Sequence, residues 1–416
     1  METVMPQQPM SPRTVTTRCC IVGGGPAGMM LGYLLGRAGV ETIVLEKHAD
    51  FFRDFRGDTV HPSTLQVMDE LGLIDDFLKL PHQRIQKMDG QFGGTSIRIS
   101  DLSRLKTKYP FIAFMPQWDF LNFLREQGKR FASLKVMMNA NATDLIWSGD
   151  TINGVKVDTP EGPLQIRADL TVACDGRHST VRERARLEVE EIGAPMDVLW
   201  FRAGKHGDEH ENLFARVERG KMMVTFDRGD YWQCAYVIAK GQYDAVKARG
   251  FEALRDDIVR MAPVLKSGIA EVKSWDDVKL LTVAINRLKR WTRPGLLCIG
   301  DAAHAMSPVG GVGVNLAVQD AVATANLLAA KLRAGCPTEQ ELDAVRKRRE
   351  FPVRMTQRMQ VVVQNNIISL ALEKGEGRVS PPLFARLINA VPWLQGITAR
   401  FIGLGVRPEH VHSPEV

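Results

Sequence analysis

The pattern of apolar and polar residues predicts that the chain begins with a strand, a helix and a second strand. Residues 19–22 are apolar and lead into a glycine-rich stretch, after which residues 29–37 read as a helix that ends before Gly39. A second strand, Thr42–Leu45, ends at Glu46. A helix that connects two parallel strands indicates a parallel sheet with helices on both faces.

Further along, the pattern separates mixed α/β stretches from β-rich ones. Residues 84–110 are polar with turn glycines, and residues 196–240 place aromatic side chains between charges, so both predict β structure. Buried strands are predicted at 170–174 and 296–299. Helices are predicted at 62–80, 120–131, after 315, and within 337–416.

These stretches predict an α/β protein with two interlocked domains. A nucleotide-binding domain is assembled from non-contiguous segments, and a β-sheet domain is inserted twice. The predicted boundaries are 17–83, 111–189 and 286–335 for the first domain, 84–110 and 190–285 for the second, 336–416 for a C-terminal helical segment and 1–16 for a flexible tail.

Composition limits the class of protein. The chain has 416 residues, of which 44% are hydrophobic and 25% charged, and this balance excludes a disordered scaffold or a disulfide-stabilised miniprotein. Lys and Arg number 54 against 48 Asp and Glu, a formal charge of +6. This mild positive charge permits binding of an anionic cofactor. Because no basic stripe concentrates the charge, binding of nucleic acid is not expected.

The chain is expected to be cytoplasmic and to lack an integral membrane segment. Its apolar stretches fall short of the roughly 20 residues that a membrane-spanning helix needs. The first 18 residues have no apolar signal-peptide core. The six cysteines form no C-x-x-C pair, so reduced thiols and no metal site are predicted.

The first glycine-rich loop has the pattern G-x-G-x-x-G at Gly23, Gly25 and Gly28. A side chain at the first position would block the tight turn, one at the second would keep a pyrophosphate away, and the third glycine lets the helix pack on the strand. Glu46 ends the next strand, where a carboxylate can bind ribose hydroxyls. The pattern predicts binding of an adenine dinucleotide; the alternative is a turn whose glycines serve only steric needs.

Two further loops follow predicted buried strands. Residues 175–182 (DGRHSTVR) place an acid and a glycine where ligands of open α/β sheets bind, although a turn capped by Ser179 or Thr180 is the alternative. Residues 300–315 (GDAAHAMSPVGGVGVN) place Asp301 at a strand end and glycines before a helix. The N-terminus of that helix can stabilise negative charge, such as the charge that a flavin gains on reduction.

With these three loops in order, the sequence resembles the single-component FAD-dependent aromatic hydroxylases, the family of p-hydroxybenzoate hydroxylase and the ubiquinone-pathway hydroxylases. The resemblance covers residues 17–335 and includes Ser179 and Arg182 in the second loop. It implies a Rossmann-like FAD-binding domain of non-contiguous segments and a β-sheet substrate domain. One departure is Val312, where many relatives have a polar residue.

The resemblance also implies residues that bind FAD. Glu46 would hold the adenosine ribose and Asp301 the ribityl chain, while Asp175 and Gly176 would lie by the pyrophosphate and assist docking of the nicotinamide co-substrate. Arg56 would lie near the phosphates. The predicted cofactor-binding set is Gly23, Gly25, Pro26, Ala27, Gly28, Glu46, Lys47, Arg56, Gln117, Asp175, Gly176, Gly300, Asp301, Pro308, Gly311, Gly313, Val314 and Asn315.

The implied activity is that of a monooxygenase. NADPH or NADH would reduce the FAD, and O2 would form a flavin C4a-hydroperoxide that gives one oxygen atom to a phenolic or quinone-precursor substrate. Pro308 and His61 are candidates at the flavin edge, although His61 could instead begin a helix. Candidate residues for the aromatic substrate are Trp200, Arg202, Trp232, Gln233 and Tyr236, each of which could instead pack in the sheet.

Two other functions remain as alternatives. One is another flavin enzyme of the same fold, a halogenase or an isoprenoid reductase, although the halogenase motif W-x-W-x-I-P is absent from the sequence. The other is a non-catalytic flavin-binding sensor. The C-terminal segment 381–408 is expected to cover the FAD domain or to form a homodimer contact rather than to dock on a membrane.

Overall fold

The structure is a computed structural model that describes residues 13–52, 58–206, 213–368, 372 and 379–416. The helices are α1 (Pro26–Arg37), α2 (Pro62–Glu70), α3 (Ile74–Phe77), α4 (Gln117–Gly128), α5 (Thr180–Arg184), α6 (Tyr243–Ala248), α7 (Phe251–Met261), α8 (Gly313–Ala334), α9 (Glu339–Val363), α10 (Leu383–Ala390) and α11 (Pro392–Gly403).

The strands alternate with these helices in a mixed order. They are β1 (Arg13–Val22), β2 (Thr42–Leu45), β3 (Thr59–Val60), β4 (Gln83–Ile85), β5 (Lys87–Phe92), β6 (Thr95–Asp101), β7 (Ile112–Phe114), β8 (Leu134–Met137), β9 (Asn141–Ser148), β10 (Thr151–Thr159), β11 (Gly162–Ala173), β12 (Val189–Glu191), β13 (Met196–Gly204), β14 (Leu213–Glu218), β15 (Lys221–Asp227), β16 (Tyr231–Ala239), β17 (Lys279–Leu281), β18 (Asn286–Leu288), β19 (Thr292–Arg293), β20 (Leu296–Cys298) and β21 (His304–Ala305).

An eight-stranded sheet forms the centre of the first layer. Its main order is β19-β20-β11-β1-β2-β8, in which β20, β11, β1, β2 and β8 run parallel. The register aligns the last residues of four strands, because Val22 pairs with Leu45 and Ala173, and Ala173 pairs with Cys298. The loops that follow these strands therefore lie at one edge of the sheet, which confirms the predicted α/β class.

A seven-stranded sheet of order β17-β13-β16-β15-β14-β5-β6 forms the second layer. All its neighbours are antiparallel except the parallel pair β14 and β5. Alternate residues of β13 and β16 pack against α7 and the 3-10 turns that follow it, in a core that includes Phe201 and Trp232. The opposite face of this sheet is directed toward the first layer.

Several predicted boundaries are wrong in detail. The first strand begins at Arg13, so residues 13–16 of the predicted tail are sheet; residues 1–12 lie outside the described part. The helix predicted over 62–80 is two helices, because Gly72 adopts φ +68° between α2 and α3. The helix predicted over 120–131 is α4, which starts at Gln117.

The C-terminal part is helical only as far as Gly403. Residues beyond α11 lie along the first layer instead, where His412 donates its backbone N–H to Asn326 of α8 (2.8 Å) and Arg37 of α1 donates to Glu415 (2.7 Å). The prediction of a helical segment through 416 is therefore wrong for this last stretch, which is held by side-chain contacts and not by a helix.

One helical stretch, Val309–Ala334, is long and apolar enough to cross a membrane by length and composition alone. However, 83% of its most apolar window is buried inside the protein. Its core, α8, packs on α1 and α9, which accounts for its apolar composition without a membrane.

Candidate functional site

A cavity of about 610 Å³ opens at the carboxyl edge of the parallel sheet. Residues from all three predicted loops line it on one side, and residues from the seven-stranded sheet line it on the other. The predicted cofactor residues among its lining are Gly23, Gly25, Pro26, Ala27, Glu46, Lys47, Gln117, Asp175, Gly176, Asp301, Pro308, Gly311, Gly313 and Val314. Its volume is within the range of about 300–1,000 Å³ that is usual for small-molecule sites.

The three glycines of the first loop have three different environments. A Cβ atom on Gly23 would lie 2.4 Å from the Cys174 carbonyl oxygen, and φ is +108° there. A Cβ atom on Gly28 would lie 1.9 Å from the Gly23 carbonyl oxygen. A Cβ atom on Gly25, at the start of α1, would meet nothing within 4 Å and would extend into the cavity. The first and third positions are thus closed by protein, and the second is open to a ligand.

The carboxylate of Glu46 is largely buried at the end of β2. Its Oε2 atom accepts a hydrogen bond from the Gly24 backbone N–H (3.2 Å), and its Oε1 atom accepts one from His48 (3.0 Å). These contacts fix the carboxylate beside the glycine-rich loop. A carboxylate at this place has the chemistry to accept hydrogen bonds from hydroxyl groups of a ligand.

The second loop is organised by Asp175, which follows β11. Its Oδ1 accepts a hydrogen bond from the Ser179 hydroxyl (2.5 Å), and its Oδ2 accepts one from the Val181 backbone N–H (3.1 Å). Burial raises the pKa of Asp175 although these hydrogen bonds oppose the shift. Ser179 also caps α5, as the alternative interpretation of this loop proposed. Asp175 and Gly176 nevertheless line the cavity.

The third loop rests on a buried charged network that sequence reasoning missed. Asp320 of α8 accepts hydrogen bonds from the Gly300 backbone N–H (3.0 Å), from His304 Nε2 (2.6 Å) and from Arg349 Nε (2.9 Å). Arg349 also lies 3.3 Å from the Glu409 carboxylate. Burial disfavours the charged form of Asp320, but His304 and Arg349 outweigh it and lower the pKa. The network holds the turn that presents Asp301 to the cavity.

The stretch before α8 turns sharply at two glycines. Gly310 and Gly311 have φ values of +79° and +63°, and a Cβ atom on Gly311 would lie 2.6 Å from the Thr59 hydroxyl oxygen. The Asn315 side chain points away from the cavity, since its Oδ1 accepts hydrogen bonds from Ser63 (2.8 Å) and Thr64 (2.6 Å) of α2. These contacts anchor the first turn of α8, where backbone N–H groups have no acceptor within the helix.

Three helices of eight or more residues direct their N-termini at this one cavity. Gly25 before α1, Gln117 at the start of α4, and Gly313 at the start of α8 all line it. A helix N-terminus has a partial positive charge and backbone donors without an acceptor inside the helix, so together the three favour a ligand with several anionic or electron-rich groups.

The opposite wall of the cavity is aromatic. The rings of Phe114 and Phe226 are stacked, with centroids 4.6 Å apart and planes at 25°, and Trp200 lies 6.3 Å from Phe226 at 14°. These three residues line the cavity together with apolar side chains such as Leu281. Rings this close pack face to face on each other, so together they give the cavity a compact, apolar aromatic wall. Phe114 and Phe226 were not predicted.

A polar cluster lies beside this aromatic wall. Asp58 and Arg228 form an ion pair (2.5 Å) whose side chains are 9% and 6% exposed, and Gln233 bonds to both. Burial raises the pKa of Asp58, and the nearby Arg228 opposes that shift. Because Asp58 precedes β3 whereas Arg228 and Gln233 belong to the β15–β16 hairpin, the cluster ties the two layers together at the cavity.

Several predicted residues do not reach the cavity. Trp232 and Tyr236 lie on the opposite face of β16 from Gln233 and pack in the core of the second layer, so their prediction as substrate residues is wrong. Arg202 is exposed near the end of β13, over the Tyr231 ring. Gly28, Gly300 and Asn315 are buried just behind the lining. Arg56 lies outside the described residues.

His61, predicted at the flavin edge, is fully buried behind it. Its Nδ1 atom lies 2.8 Å from the Ile402 carbonyl oxygen, and its Nε2 atom lies 3.1 Å from the Gly311 carbonyl oxygen. Burial lowers the pKa of His61 to about 4. His61 occupies the N-cap position of α2, as the helix-start alternative has it, but its side chain makes no cap hydrogen bond; Pro308 does line the cavity.

The residues present fit FAD. The open space at Gly25 suits a pyrophosphate, the buried Glu46 carboxylate suits ribose hydroxyls, and the N-terminus of α8 suits the electron-rich edge of a flavin. The aromatic wall lies across the same cavity. A cofactor bound along the sheet edge would therefore have an aromatic-walled pocket beside it.

Comparisons with known proteins agree with this arrangement. The family described as FAD binding domain matches residues 16–359. A 6-methylpretetramide 4-monooxygenase from Streptomyces rimosus is 30% identical over 389 residues, which are 92% of this chain and 91% of that protein. A para-nitrophenol 4-monooxygenase from a Pseudomonas strain is 25% identical over 325 residues, 77% of this chain and 79% of the other.

A solved structure has the same fold. The crystal structure of p-nitrophenol 4-monooxygenase from Pseudomonas putida aligns with a TM-score of 0.76 at 22% identity, over 95% of this chain and 99% of that one. At this level of identity the likeness concerns the fold. It extends over both layers and the C-terminal helices.

Proposed function

Because the chain belongs to the family of single-component FAD-dependent aromatic hydroxylases, we propose that it uses NADPH or NADH and O2 to hydroxylate a planar phenol or quinone precursor with fused rings. Its family membership makes it an FAD-dependent monooxygenase, and the predicted family, enzyme class and FAD cofactor are confirmed. The substrate and the course of the reaction are the proposal.

One observation supports this substrate class above the others. The cavity that begins at the glycine-rich loop continues to the stacked rings of Phe114, Phe226 and Trp200. A wall built from three aromatic side chains favours several fused rings over a single small ring, since each further ring buries more apolar surface against it. The relative from Streptomyces rimosus is named for 6-methylpretetramide.

When bound, FAD supplies the electron transfer and the oxygen activation, and the protein supplies position and exclusion of water. We propose that Gly25 leaves space for the pyrophosphate, Glu46 holds the adenosine ribose and Asp301 holds the ribityl chain. Backbone donors at the start of α8 would stabilise negative charge at the flavin. Leu281, Phe226 and Trp200 would keep solvent from the reacting carbon.

The test is a panel of phenols and hydroxyquinones with one to four fused rings, scored by stimulated NADPH and NADH oxidation and by mass spectrometry for one added oxygen atom. We expect the fused-ring compounds to stimulate oxidation and to give the oxygenated product. Stimulation only by single-ring phenols would contradict the proposed substrate class. An FAD-loaded protein whose NAD(P)H oxidation no compound accelerates would support the sensor alternative.

The cofactor assignment has its own test in Asp301→Ala. Because Asp301 lines the cavity at the end of β20, its loss should weaken FAD retention at least tenfold, the effect of losing one charge-assisted hydrogen bond. Bound FAD is measured by absorbance after gel filtration. Asp276→Ala, in an exposed turn remote from the cavity, is the control and should remain fully loaded. A yellow, fully loaded Asp301→Ala protein would refute the assignment.

A further inference from the structure

The side chain of Gln233 is clamped between two opposite charges at the aromatic wall. Its Oε1 atom accepts hydrogen bonds from Arg228 Nε (2.9 Å) and Nη2 (2.6 Å). Its Nε2 atom donates to Asp58 Oδ2 (2.7 Å). Gln233 is 3% exposed, and both it and Asp58 line the cavity.

These neighbours fix which way the amide points. A guanidinium has only donors and an ionised carboxylate only acceptors, so the carbonyl oxygen of Gln233 must face Arg228 and its amino group must face Asp58. A flip of the amide would place donor against donor and acceptor against acceptor. The orientation is therefore determined by chemistry and not only by the fit of the side chain.

These contacts leave Gln233 with one unused hydrogen-bonding group, an N–H donor. The two contacts from Arg228 occupy Oε1, whereas the contact with Asp58 uses only one of the two N–H bonds of the amino group. A ligand in the cavity thus meets an N–H donor at this position. A neighbouring Asp58 carboxylate, already engaged by Arg228, would repel a second anion but not a neutral carbonyl.

We propose that Gln233 is a specificity-determining residue that donates a hydrogen bond to a carbonyl oxygen of a planar aromatic ligand that lies against the aromatic wall. This inference rests on the proposed function, since it concerns the same substrate pocket. It adds that the pocket selects ring systems with a ketone or quinone oxygen over pure hydrocarbons of the same shape.

The selection follows from the cost of burying the Gln233 N–H donor against a ligand that has no carbonyl oxygen. A hydrocarbon in the same place would leave a buried N–H donor without an acceptor, and a site built to hydrogen-bond a ligand rejects the analogue that lacks the group. A hydrogen bond between neutral groups corresponds to roughly a five- to tenfold preference in affinity. Apolar contact with the wall would be the same for both ligands.

The experiment uses the FAD-loaded protein and two matched tricyclic probes, 9-fluorenone and fluorene, which differ in one carbonyl group. Equilibrium dialysis gives the dissociation constant of each. We expect fluorenone to bind five- to tenfold more tightly than fluorene in the natural protein. In Gln233→Met, which keeps the length of the side chain but has no donor, the preference should fall to about one.

Gln91→Met is the control variant, because Gln91 lies on β5 of the same sheet outside the cavity lining; it should keep the preference. Equal affinities in the natural protein would overturn the proposal even if Gln233→Met does not fold. So would a preference that survives in a folded, FAD-loaded Gln233→Met. A preference seen without turnover of any phenol would leave this inference standing and reject the proposed reaction.

Discussion

His304 Nε2 lies 2.6 Å from Asp320 Oδ2 in the interior of the protein, where both side chains are almost fully buried. The other ring nitrogen of His304, Nδ1, has no hydrogen-bond partner in the described part of the chain. Since an ionised carboxylate only accepts hydrogen bonds, Nε2 is the donor of this pair. The pair thus connects the strand of the third loop to α8.

Asp320→Asn is predicted to weaken both the fold and FAD retention. The change leaves the buried Arg349 guanidinium with Glu409 as its remaining carboxylate partner, and breaking a buried pair in this way costs about 3–5 kcal/mol. With one acceptor oxygen left, the asparagine side chain cannot serve both the Gly300 turn and Arg349. Urea denaturation and the fraction of bound FAD are the measurements.

Asp144→Asn is the matched control for that change. Asp144 pairs with Lys156 on the surface, where the side chains are 43% and 52% exposed, so its loss should alter stability by about 1 kcal/mol or less. If both variants lost the same stability, the network around Asp320 would not have the role assigned to it.

Gly25→Val and Gly28→Ala are predicted to fail for different reasons. At Gly25 a side chain meets only the cavity, so the protein should fold and unfold at the natural temperature when free of FAD, yet bind FAD at least a hundredfold more weakly. At Gly28 even a Cβ atom would lie 1.9 Å from a backbone oxygen, so the fold itself should be destabilised.

Thermal unfolding of the FAD-free proteins separates the two effects. Gly335→Ala gives no steric contact within 4 Å, has an extended φ of 169° and lies outside the cavity lining, so it controls for the mere loss of a glycine. Normal FAD affinity in a folded Gly25→Val protein would show that the pyrophosphate lies elsewhere.

Acidification is predicted to destabilise the protein through His61. Its pKa of about 4 in the fold is below its ordinary value of 6.5, so the unfolded chain binds the proton first as the pH falls. The free energy of unfolding should therefore decline between pH 6.5 and 4, by about 3 kcal/mol in total, and this effect should vanish above pH 6.5. Urea denaturation across this range measures it.

His61→Gln should be less stable at pH 7 but should lose less stability on acidification than the natural protein. His412→Gln, at an exposed histidine, should keep the natural pH dependence. The same slope in His61→Gln and in the natural protein would exclude His61 as the titrating group. Increased stability at pH 5 would mean that its two carbonyl neighbours stabilise the protonated ring.

Trp200 and Trp232 are predicted to have separate roles although both belong to the central strands of the second sheet. Trp232→Ala removes a side chain that is 1% exposed, so it should cost about 3–5 kcal/mol of stability. Trp200→Ala removes part of the cavity wall, so it should weaken fluorenone binding by about tenfold with a smaller change in stability. Urea denaturation and equilibrium dialysis distinguish them, and a reversed pattern would contradict the assigned faces.

The parts of the site that could be predicted are those encoded locally. The loop at 23–28 joins a strand to a helix within a few residues, so its glycine spacing is a direct consequence of the local turn. The same is true of Asp175 and Asp301, each at the end of an apolar run. Positions of this kind depend on neighbours in the sequence, and the structure places them together.

The parts that were missed depend on contacts between distant residues. Asp320 and Arg349 are 29 positions apart, and Asp58 meets Gln233 across 175. A signal for Asp320 was present, since it is the one Asp, Glu, Lys or Arg between Asp301 and Lys331 in an otherwise apolar stretch. Period-two alternation also shows that Gln233 cannot share a face with Trp232.

The order of the parallel strands has a consequence for the biosynthesis of the protein. The first strand lies between strands formed by residues 42–45 and 162–173, and Arg37 of the first helix binds the carbonyl of Ser413 (3.1 Å) and Glu415. A nascent chain on the ribosome therefore lacks the second partner strand until residue 173 has emerged, and it lacks the contacts of Arg37 until residues 413–415 have emerged. Such distant pairings also slow refolding. We expect the FAD layer to assemble after synthesis, with its apolar edges exposed to aggregation until then.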